Sequence, residues 1–184
     1  SGEASAALLD SPSGLSAIPG DGTTQLSWEP AGGADTYNVY RGTSSGVGTS
    51  SDPLETGISS TEYADETAEN GTEYFYVVTA AASGDRESDP SGEASAVPFA
   101  PPSSLEGTSL DSQVDLSWQE AAGADTYSVY RSTSSTNGAE GDPPEGDPLA
   151  ADIAETTFAD TTAENGTKYY YRVTSVNPSG AESD

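Results

Sequence analysis

The sequence contains two copies of one pattern, and this repeat limits the chain to two similar folding units. Leu26–Arg41 reads LSWEPAGGADTYNVYR and Leu116–Arg131 reads LSWQEAAGADTYSVYR, an offset of 90 residues. Ala64–Thr79 and Ala159–Thr174 match at an offset of 95 residues, so the second copy carries five more residues between the two blocks. The extra residues fall in a stretch rich in Pro, Gly and acidic residues, which predicts a surface loop because loops absorb insertions at small cost.

Each copy alternates apolar and polar residues in the way that is typical of half-buried β-strands. In the first copy Leu26 and Trp28 alternate with polar neighbours, and Tyr74, Tyr76 and Val78 do the same. Segments rich in Gly, Pro, Asp and Asn separate these runs, and no long stretch shows helical spacing. Several short strands with turn signals between them predict a β-sandwich. The core is expected to contain the recurring aromatic residues Trp28, Tyr37, Tyr74, Tyr76, Trp118, Tyr127, Tyr169 and Tyr171.

At these residues the chain resembles fibronectin type III modules. The resemblance rests on the Trp that closes the second strand, on TYNVYR at the start of the third, and on NGTEYFYVV in the sixth. Tyr74 and Tyr169 match the tyrosine corner of that family, in which the hydroxyl bonds to nearby backbone. The resemblance implies an all-β chain of two tandem immunoglobulin-like sandwiches, with seven strands in two sheets for each complete copy.

The resemblance also implies that the second copy lacks its last strand. In the first copy Glu93–Val97 stands in the place of that strand, whereas the second copy stops at SGAESD. We therefore predict a first module over residues 14–98, a Pro-rich linker over 99–103, and a second module over 104–184 without its last strand. Residues 1–13 then hold a segment like the last strand of a preceding or neighbouring repeat, followed by a linker.

The hexapeptide SGEASA occurs at residues 1–6 and again at residues 91–96. An uncovered strand edge recruits available strands, so the first hexapeptide is a candidate donor to the second module. Residues 7–13 reach only about 25 Å at about 3.5 Å each, and a module is about 30 Å long, so donation would join neighbouring molecules into a filament. The alternative is a chain that was cut between two strands and donates nothing. The candidate donor residues are Ser1, Gly2, Glu3, Ala4, Ser5 and Ala6.

Charge limits the partners of the chain. It has 31 acidic and 5 basic residues, for a net charge of −26. Nucleic acid and anionic membrane surfaces need clustered Lys and Arg, so neither is expected as a partner. No stretch approaches the roughly 18 apolar residues of a membrane span, so membrane insertion is not expected either. This charge balance resembles that of extracellular proteins from halophilic microbes, and an ordinary acidic secreted protein is the alternative.

We expect salt to stabilise the fold. Near molar ionic strength the Debye length shortens to about 3 Å, which screens the repulsion among the carboxylates. The melting temperature should therefore be higher in molar NaCl or KCl than in dilute buffer. A melting curve that does not respond to salt would contradict the halophile interpretation.

The sequence offers little for catalysis. It contains no His and no Cys, which excludes Ser-His-Asp and Cys-His arrangements and Cys-ligated zinc. Carboxylates are so abundant that a pair of them is expected by chance, so we predict no enzyme and no cofactor. A metal would need oxygen ligands, which means Ca²⁺ first, but Pro and Gly at the best cluster favour a solvated loop over a metal site, so we predict no metal. That cluster, in the inserted loop, consists of Glu140, Asp142, Glu145 and Asp147.

Two surface features could serve modification or binding, and each also has a structural explanation. Asn70 and Asn165 each begin an Asn-Gly-Thr pattern for N-glycosylation, although Asn-Gly also suits the tight turn that is needed there. The outward faces of the third and sixth strands carry side chains for which cross-strand pairing is the favoured role, and binding of sugars or proteins is the alternative if they are exposed. These side chains are Tyr40, Phe75 and Val77 in the first copy and Tyr130, Tyr170 and Arg172 in the second.

Two functions remain, both outside the cell or at its surface. The first is a non-catalytic structural or adhesive protein, a filament or surface-array subunit whose partners are further copies or other surface proteins. The second is a spacer or accessory module of a secreted multidomain enzyme such as a polysaccharide hydrolase, for which polysaccharide is a candidate partner. The fold alone does not choose between them, because it carries many functions. A catalytic domain next to the chain would favour the second.

Overall fold

A computed structural model describes residues 9–84, 86–133 and 146–183. The chain divides into two compact units, Ser1–Pro98 and Phe99–Asp184, which are called module 1 and module 2 below. All regular elements of the described residues are β-strands. Within these ranges there is no helix with the length and apolar character that a membrane crossing requires.

Module 1 is a sandwich of two antiparallel sheets. One sheet has the order β1-β2-β5, and the other has the order β4-β3-β6, with β7 and β8 both paired to β6. The expected seven strands appear as eight because the last strand is in two pieces, β7 and β8. The strands are β1 (Ser13–Pro19), β2 (Thr24–Glu29), β3 (Thr36–Gly42), β4 (Glu55–Ile58), β5 (Glu62–Asp65), β6 (Tyr74–Ala82), β7 (Arg86–Glu87) and β8 (Ala94–Ala96).

The break in the last strand of module 1 lies around Pro90, which has no N–H to donate to a ladder. Two serine side chains replace part of the missing ladder. The N–H of Ala80 donates to Ser88 Oγ at 2.9 Å, and the N–H of Val78 donates to Ser91 Oγ at 3.0 Å. The backbone N–H groups of Ser88 and Ser91 donate in return to the carbonyls of Ala80 and Val78. Strand β6 thus remains hydrogen-bonded on both sides of the proline.

Module 2 repeats this arrangement with one piece missing. A single bridge joins Val176 to Glu182 at the place of β7, and no strand of the described residues takes the place of β8. The sheets have the orders β13-β10-β9 and β12-β11-β14. Their strands are β9 (Ser103–Leu110), β10 (Gln113–Gln119), β11 (Thr126–Ser132), β12 (Ala150–Ile153), β13 (Thr157–Asp160) and β14 (Tyr170–Val176). The predicted fold class, two tandem immunoglobulin-like sandwiches of which the second lacks its last strand, is confirmed.

Each core contains an edge-to-face pair of Trp and Tyr. The ring centroids of Trp28 and Tyr37 are 5.4 Å apart, and those of Trp118 and Tyr127 are also 5.4 Å apart. Such a pair contributes about 0.5–1.5 kcal/mol beyond the burial of its area. The Tyr37 hydroxyl accepts the N–H of Ala31 at 3.0 Å, which ties the core to the turn between β2 and β3.

The expected core residues differ in burial between the modules. Tyr169 and Tyr171 are only half-buried, whereas their counterparts Tyr74 and Tyr76 are buried. The reason is β8, which pairs with Tyr74 and Tyr76 and has no counterpart in the described part of module 2. The buried members of the expected set are Trp28, Tyr37, Tyr74, Tyr76, Trp118 and Tyr127.

Residues that precede the first strand already contact module 1. Leu9 packs against the core of module 1, and the N–H of Asp10 donates to the carbonyl of Gly32 at 3.0 Å. In module 2, β9 begins at Ser103, the last residue of the predicted linker.

Candidate functional sites

A buried carboxylate connects the two sheets of module 1. Asp65, at the end of β5, is fully buried and accepts hydrogen bonds from Arg41 Nη1 at 2.7 Å and from the Tyr76 hydroxyl at 2.9 Å. It also accepts the backbone N–H of Thr67 at 3.0 Å and the Thr67 hydroxyl at 2.7 Å. Arg41 lies over the ring of Tyr74, 4.5 Å from its centroid. Because β5 belongs to one sheet and β3 and β6 to the other, this buried charge cluster fastens the sheets together.

The protonation states of the buried charge cluster are fixed near neutral pH. Burial alone would raise the pKa of Asp65, but hydrogen bonds from Thr67, Arg41 and Tyr76 outweigh burial and lower the pKa below its ordinary value. Burial and the adjacent Asp65 raise the pKa of Tyr76 above its ordinary value. General acid–base catalysis needs a group that exchanges a proton near the working pH. The cluster offers none, so its chemistry suits structure rather than catalysis.

Module 2 has the same cluster at the equivalent positions. Asp160 accepts hydrogen bonds from Arg131 Nη1 at 2.8 Å, from the Tyr171 hydroxyl at 2.6 Å and from both the N–H and the hydroxyl of Thr162. Arg131 lies 4.7 Å from the centroid of the Tyr169 ring. Burial would raise the pKa of Asp160, but the hydrogen bonds from Tyr171, Thr162 and Arg131 prevail and lower it to about 2.

Sequence reasoning missed this cluster, although the repeat contained a signal for it. Arg41 and Asp65 recur as Arg131 and Asp160 in a chain with only 5 basic residues. A scarce cation that recurs beside the same strand in both copies indicates a specific carboxylate partner rather than a solvated surface charge.

A second carboxylate lies on the outer face of the β3–β6 pair in module 1. Glu87 Oε1 accepts hydrogen bonds from Asn38 Nδ2 at 2.9 Å, from the Tyr40 hydroxyl at 2.8 Å and from the hydroxyl of Thr79. Burial, together with Glu87, raises the pKa of Tyr40 to about 12. In module 2, Glu182 accepts hydrogen bonds in the same way from the hydroxyls of Tyr130 and Thr174.

The outward side chains are mostly unavailable to a ligand. Tyr40 is 4% exposed, Val77 3% and Tyr130 9%, so these three side chains are not exposed for ligand contact. Tyr40 and Val77 are cross-strand partners, which is the arrangement that the sequence favours. Tyr170 is exposed, and Lys168 Nζ lies 4.7 Å from the centroid of its ring.

Both candidate glycosylation asparagines hold the turn between the first two strands of their module. Asn70 Oδ1 accepts the N–H of Gly22 at 2.8 Å, and its Nδ2 donates to Asp21 at 2.7 Å. Asn165 makes the same two bonds, accepting from the N–H of Ser112 at 3.0 Å and donating to Asp111 at 2.7 Å. These amides have a structural role in the turn, and glycosylation stays a prediction.

The candidate metal ligands and the candidate donor strand fall largely on residues that the structure leaves out. Glu140, Asp142 and Glu145 lie outside the described residues, and Asp147 is exposed. Ser1–Ala6 likewise lies outside them. In the described ranges, no three or more Asp and Glu side chains are grouped so that they could hold a metal ion.

The tyrosine corner and one family comparison decide the identity of the fold. The N–H of Glu69 donates to the Tyr74 hydroxyl at 3.2 Å, and the N–H of Glu164 donates to the Tyr169 hydroxyl at 3.3 Å. Residues 102–182 match the family described as Fibronectin type III domain SaeA third domain. Both modules are fibronectin type III domains. Module 1 is assigned to the same family because it repeats the strand order of module 2, its Trp–Tyr core pair and its buried charge cluster.

Other relatives of these fibronectin type III domains come from bacteria. The chain is 34% identical over 87 residues to the amylopullulanase of Thermoanaerobacter thermohydrosulfuricus, which is 47% of this chain and 6% of that protein. It is 40% identical over 90 residues to the amylopullulanase of Thermoanaerobacterium saccharolyticum, which is 49% of this chain and 7% of that protein. A solved Fn3-like protein from Clostridium thermocellum is 40% identical, with 50% of this chain and 92% of that chain covered and a TM-score of 0.43. The chain thus spans only 6–7% of the length of the two amylopullulanases.

Proposed function

We propose that the two fibronectin type III domains are a non-catalytic spacer or accessory segment of a secreted enzyme that degrades a polysaccharide. The observation that carries this proposal is the match to two amylopullulanases. Each match is 87 or 90 residues long, about the length of one module, and covers 6% or 7% of the enzyme. Such a match is expected for a module inserted in a much larger chain, where the catalytic residues belong to other domains.

The structure of each module favours a non-catalytic role. Each module has a hydrophobic core of its own, so neither needs a catalytic domain to fold. The buried carboxylates Asp65 and Asp160 are committed to Arg and Tyr partners on neighbouring strands. Carboxylates that are held in this way stabilise a sandwich and are not available to cleave a glycosidic bond.

The test is to read the coding sequence on both sides of these residues and to assay the purified chain. A glycoside hydrolase domain in the same open reading frame is the expected result. The purified chain should release no reducing sugar from starch or pullulan, and deletion of both modules should leave the kcat of the full-length enzyme on a soluble substrate unchanged. Flanking sequence that contains only further repeats would contradict the proposal.

A further inference from the structure

Module 1 has a polar hollow beside the turn between β6 and β7. Its volume is about 410 Å³, which is in the range of small-ligand sites. The end of β6 contributes only small side chains here, and this leaves room beside the longer side chains of β3 and β7. The lining includes Asn38, Ala81, Ala82, Ser83, Arg86 and Glu87.

Glu87 is held in one position in this hollow. Hydrogen bonds from Asn38 Nδ2, the Tyr40 hydroxyl and the Thr79 hydroxyl all end on its Oε1. No donor among the residues that the structure describes bonds to its second oxygen, Oε2. Partial burial would raise the pKa of Glu87, but these hydrogen bonds outweigh burial and lower the pKa. The hollow therefore contains an ionised carboxylate of fixed orientation whose Oε2 can accept a further hydrogen bond.

Arg86 supplies hydrogen-bond donors to the same hollow. Its side chain is exposed, and it forms no ion pair with any residue in the described part of the chain. A guanidinium group carries five N–H donors and no acceptor. The chain has 31 acidic residues, so an arginine that pairs with none of the described ones is available to a ligand.

Module 2 lacks this combination of side chains at the equivalent positions. The carboxylate itself recurs as Glu182, which accepts hydrogen bonds from the hydroxyls of Tyr130 and Thr174. Glu87 and Glu182 thus have the same role in their sheets, whereas the rest of the hollow is particular to module 1. Three lining positions differ: Ser128 replaces Asn38, Val176 replaces Ala81, and Ala181 replaces Arg86.

The charges of the hollow favour a neutral ligand that carries hydroxyl groups. Glu87 repels anions, and Arg86 repels simple cations. A hydroxyl group both donates and accepts hydrogen bonds. One hydroxyl of a sugar ring can therefore donate to Glu87 Oε2 while the neighbouring hydroxyl accepts an N–H of Arg86.

We propose that this hollow binds a neutral polysaccharide. Two adjacent hydroxyls of one sugar residue bond to Glu87 and Arg86, and Asn38 keeps the carboxylate in position. The choice of a polysaccharide over other ligands with hydroxyl groups rests on the proposed function. Binding is expected to be weak, at millimolar concentrations of sugar, because only a few hydrogen bonds contribute.

The test is affinity electrophoresis of the whole chain in native gels that contain pullulan or soluble starch. Both should slow the chain, whereas polygalacturonate, an anionic polysaccharide, should not. Arg86→Ala should weaken the retardation by about tenfold or more, the usual effect of losing a hydrogen bond to a charged group. Ala81→Val should abolish it, because the larger side chain fills the hollow. The fold should tolerate this valine, since Val176 occupies the equivalent position in module 2.

Lys168→Ala is the matched control for Arg86→Ala. It removes the same charge from the chain, but Lys168 belongs to module 2, so retardation should equal that of the unaltered chain. A nuclear magnetic resonance titration of the isotope-labelled chain with maltotetraose locates the site. The backbone amide signals of Ser83 and Arg86 should shift, and those of module 2 should stay in place.

Three outcomes would overturn the inference. They are no retardation by either neutral polysaccharide, retardation by polygalacturonate alone, and retardation that survives both Arg86→Ala and Ala81→Val. None of them affects the spacer function, which is tested by the sequence that flanks the chain. Conversely, retardation that these two variants remove would support the hollow as a sugar site even if no hydrolase domain is encoded nearby.

Discussion

Asp65→Asn should destabilise module 1 by about 3–5 kcal/mol, the usual cost of removing one partner of a buried ion pair. The amide cannot match the charge of Arg41, and it leaves fewer acceptors for the hydrogen bonds of Arg41, Tyr76 and Thr67. The measurement is urea unfolding followed by tryptophan fluorescence in a Trp118→Phe background, so that Trp28 alone reports on module 1.

Glu66→Gln is the matched control for this substitution. It removes the same charge from the neighbouring residue, which is exposed. Because the chain carries a net charge of −26, the control should leave stability unchanged or raise it slightly. Equal losses for Asp65→Asn and Glu66→Gln would show that the buried charge cluster does not fasten the sheets.

Module 2 should lose stability as the pH falls from about 4 to about 2. The pKa of Asp160 is about 2 in the folded chain and 3.8 at its ordinary value. A lowered pKa stabilises the folded state fully above the ordinary value, and this stabilisation disappears as the pH falls through the folded value. The side chain of Asp160 is 1% exposed, so the loss should be about 2 kcal/mol.

The measurement is urea unfolding at a series of pH values in a Trp28→Phe background, with Trp118 as the reporter. Protonation of exposed carboxylates also relieves repulsion over this range, so Asp160→Asn serves as the reference. This variant keeps the repulsion among the exposed carboxylates but lacks the stabilisation that comes from ionised Asp160. If both chains show the same pH dependence, the hydrogen bonds to Asp160 do not lower its pKa as described.

The sequence predicts the features of this fold that depend on neighbours along the chain. Alternation locates β2 around Trp28 and β6 around Tyr76, because a strand repeats every two residues. It does not locate the buried charge cluster, since Arg41 and Asp65 are 24 positions apart and meet only across the sandwich. The half-burial of Tyr171 follows from the last strand that the second copy lacks, and the alternation of β14 alone does not show it, because the same alternation surrounds the buried Tyr76.

The break in the last strand of module 1 is predictable from the sequence only in part. Pro90 is a visible sign that a ladder is interrupted. That Ser88 and Ser91 repair the ladder with their hydroxyls follows only from the position of β6 beside them. A serine in an acidic, Gly-rich stretch gives no sign of such a bond in the sequence.

Two of the 5 basic residues, Arg41 and Arg131, belong to the buried charge clusters. The attraction between these arginines and their Asp partners therefore acts in the interior, whereas the repulsion among carboxylates acts mostly at the surface. Counterions reach exposed carboxylates and screen them, but they reach a buried pair far less. A change of ionic strength therefore alters the repulsion among the surface carboxylates much more than the attraction within the buried ion pairs. The hydrogen bonds to Asp65 and Asp160 therefore join the two sheets of each module at low and at high ionic strength alike.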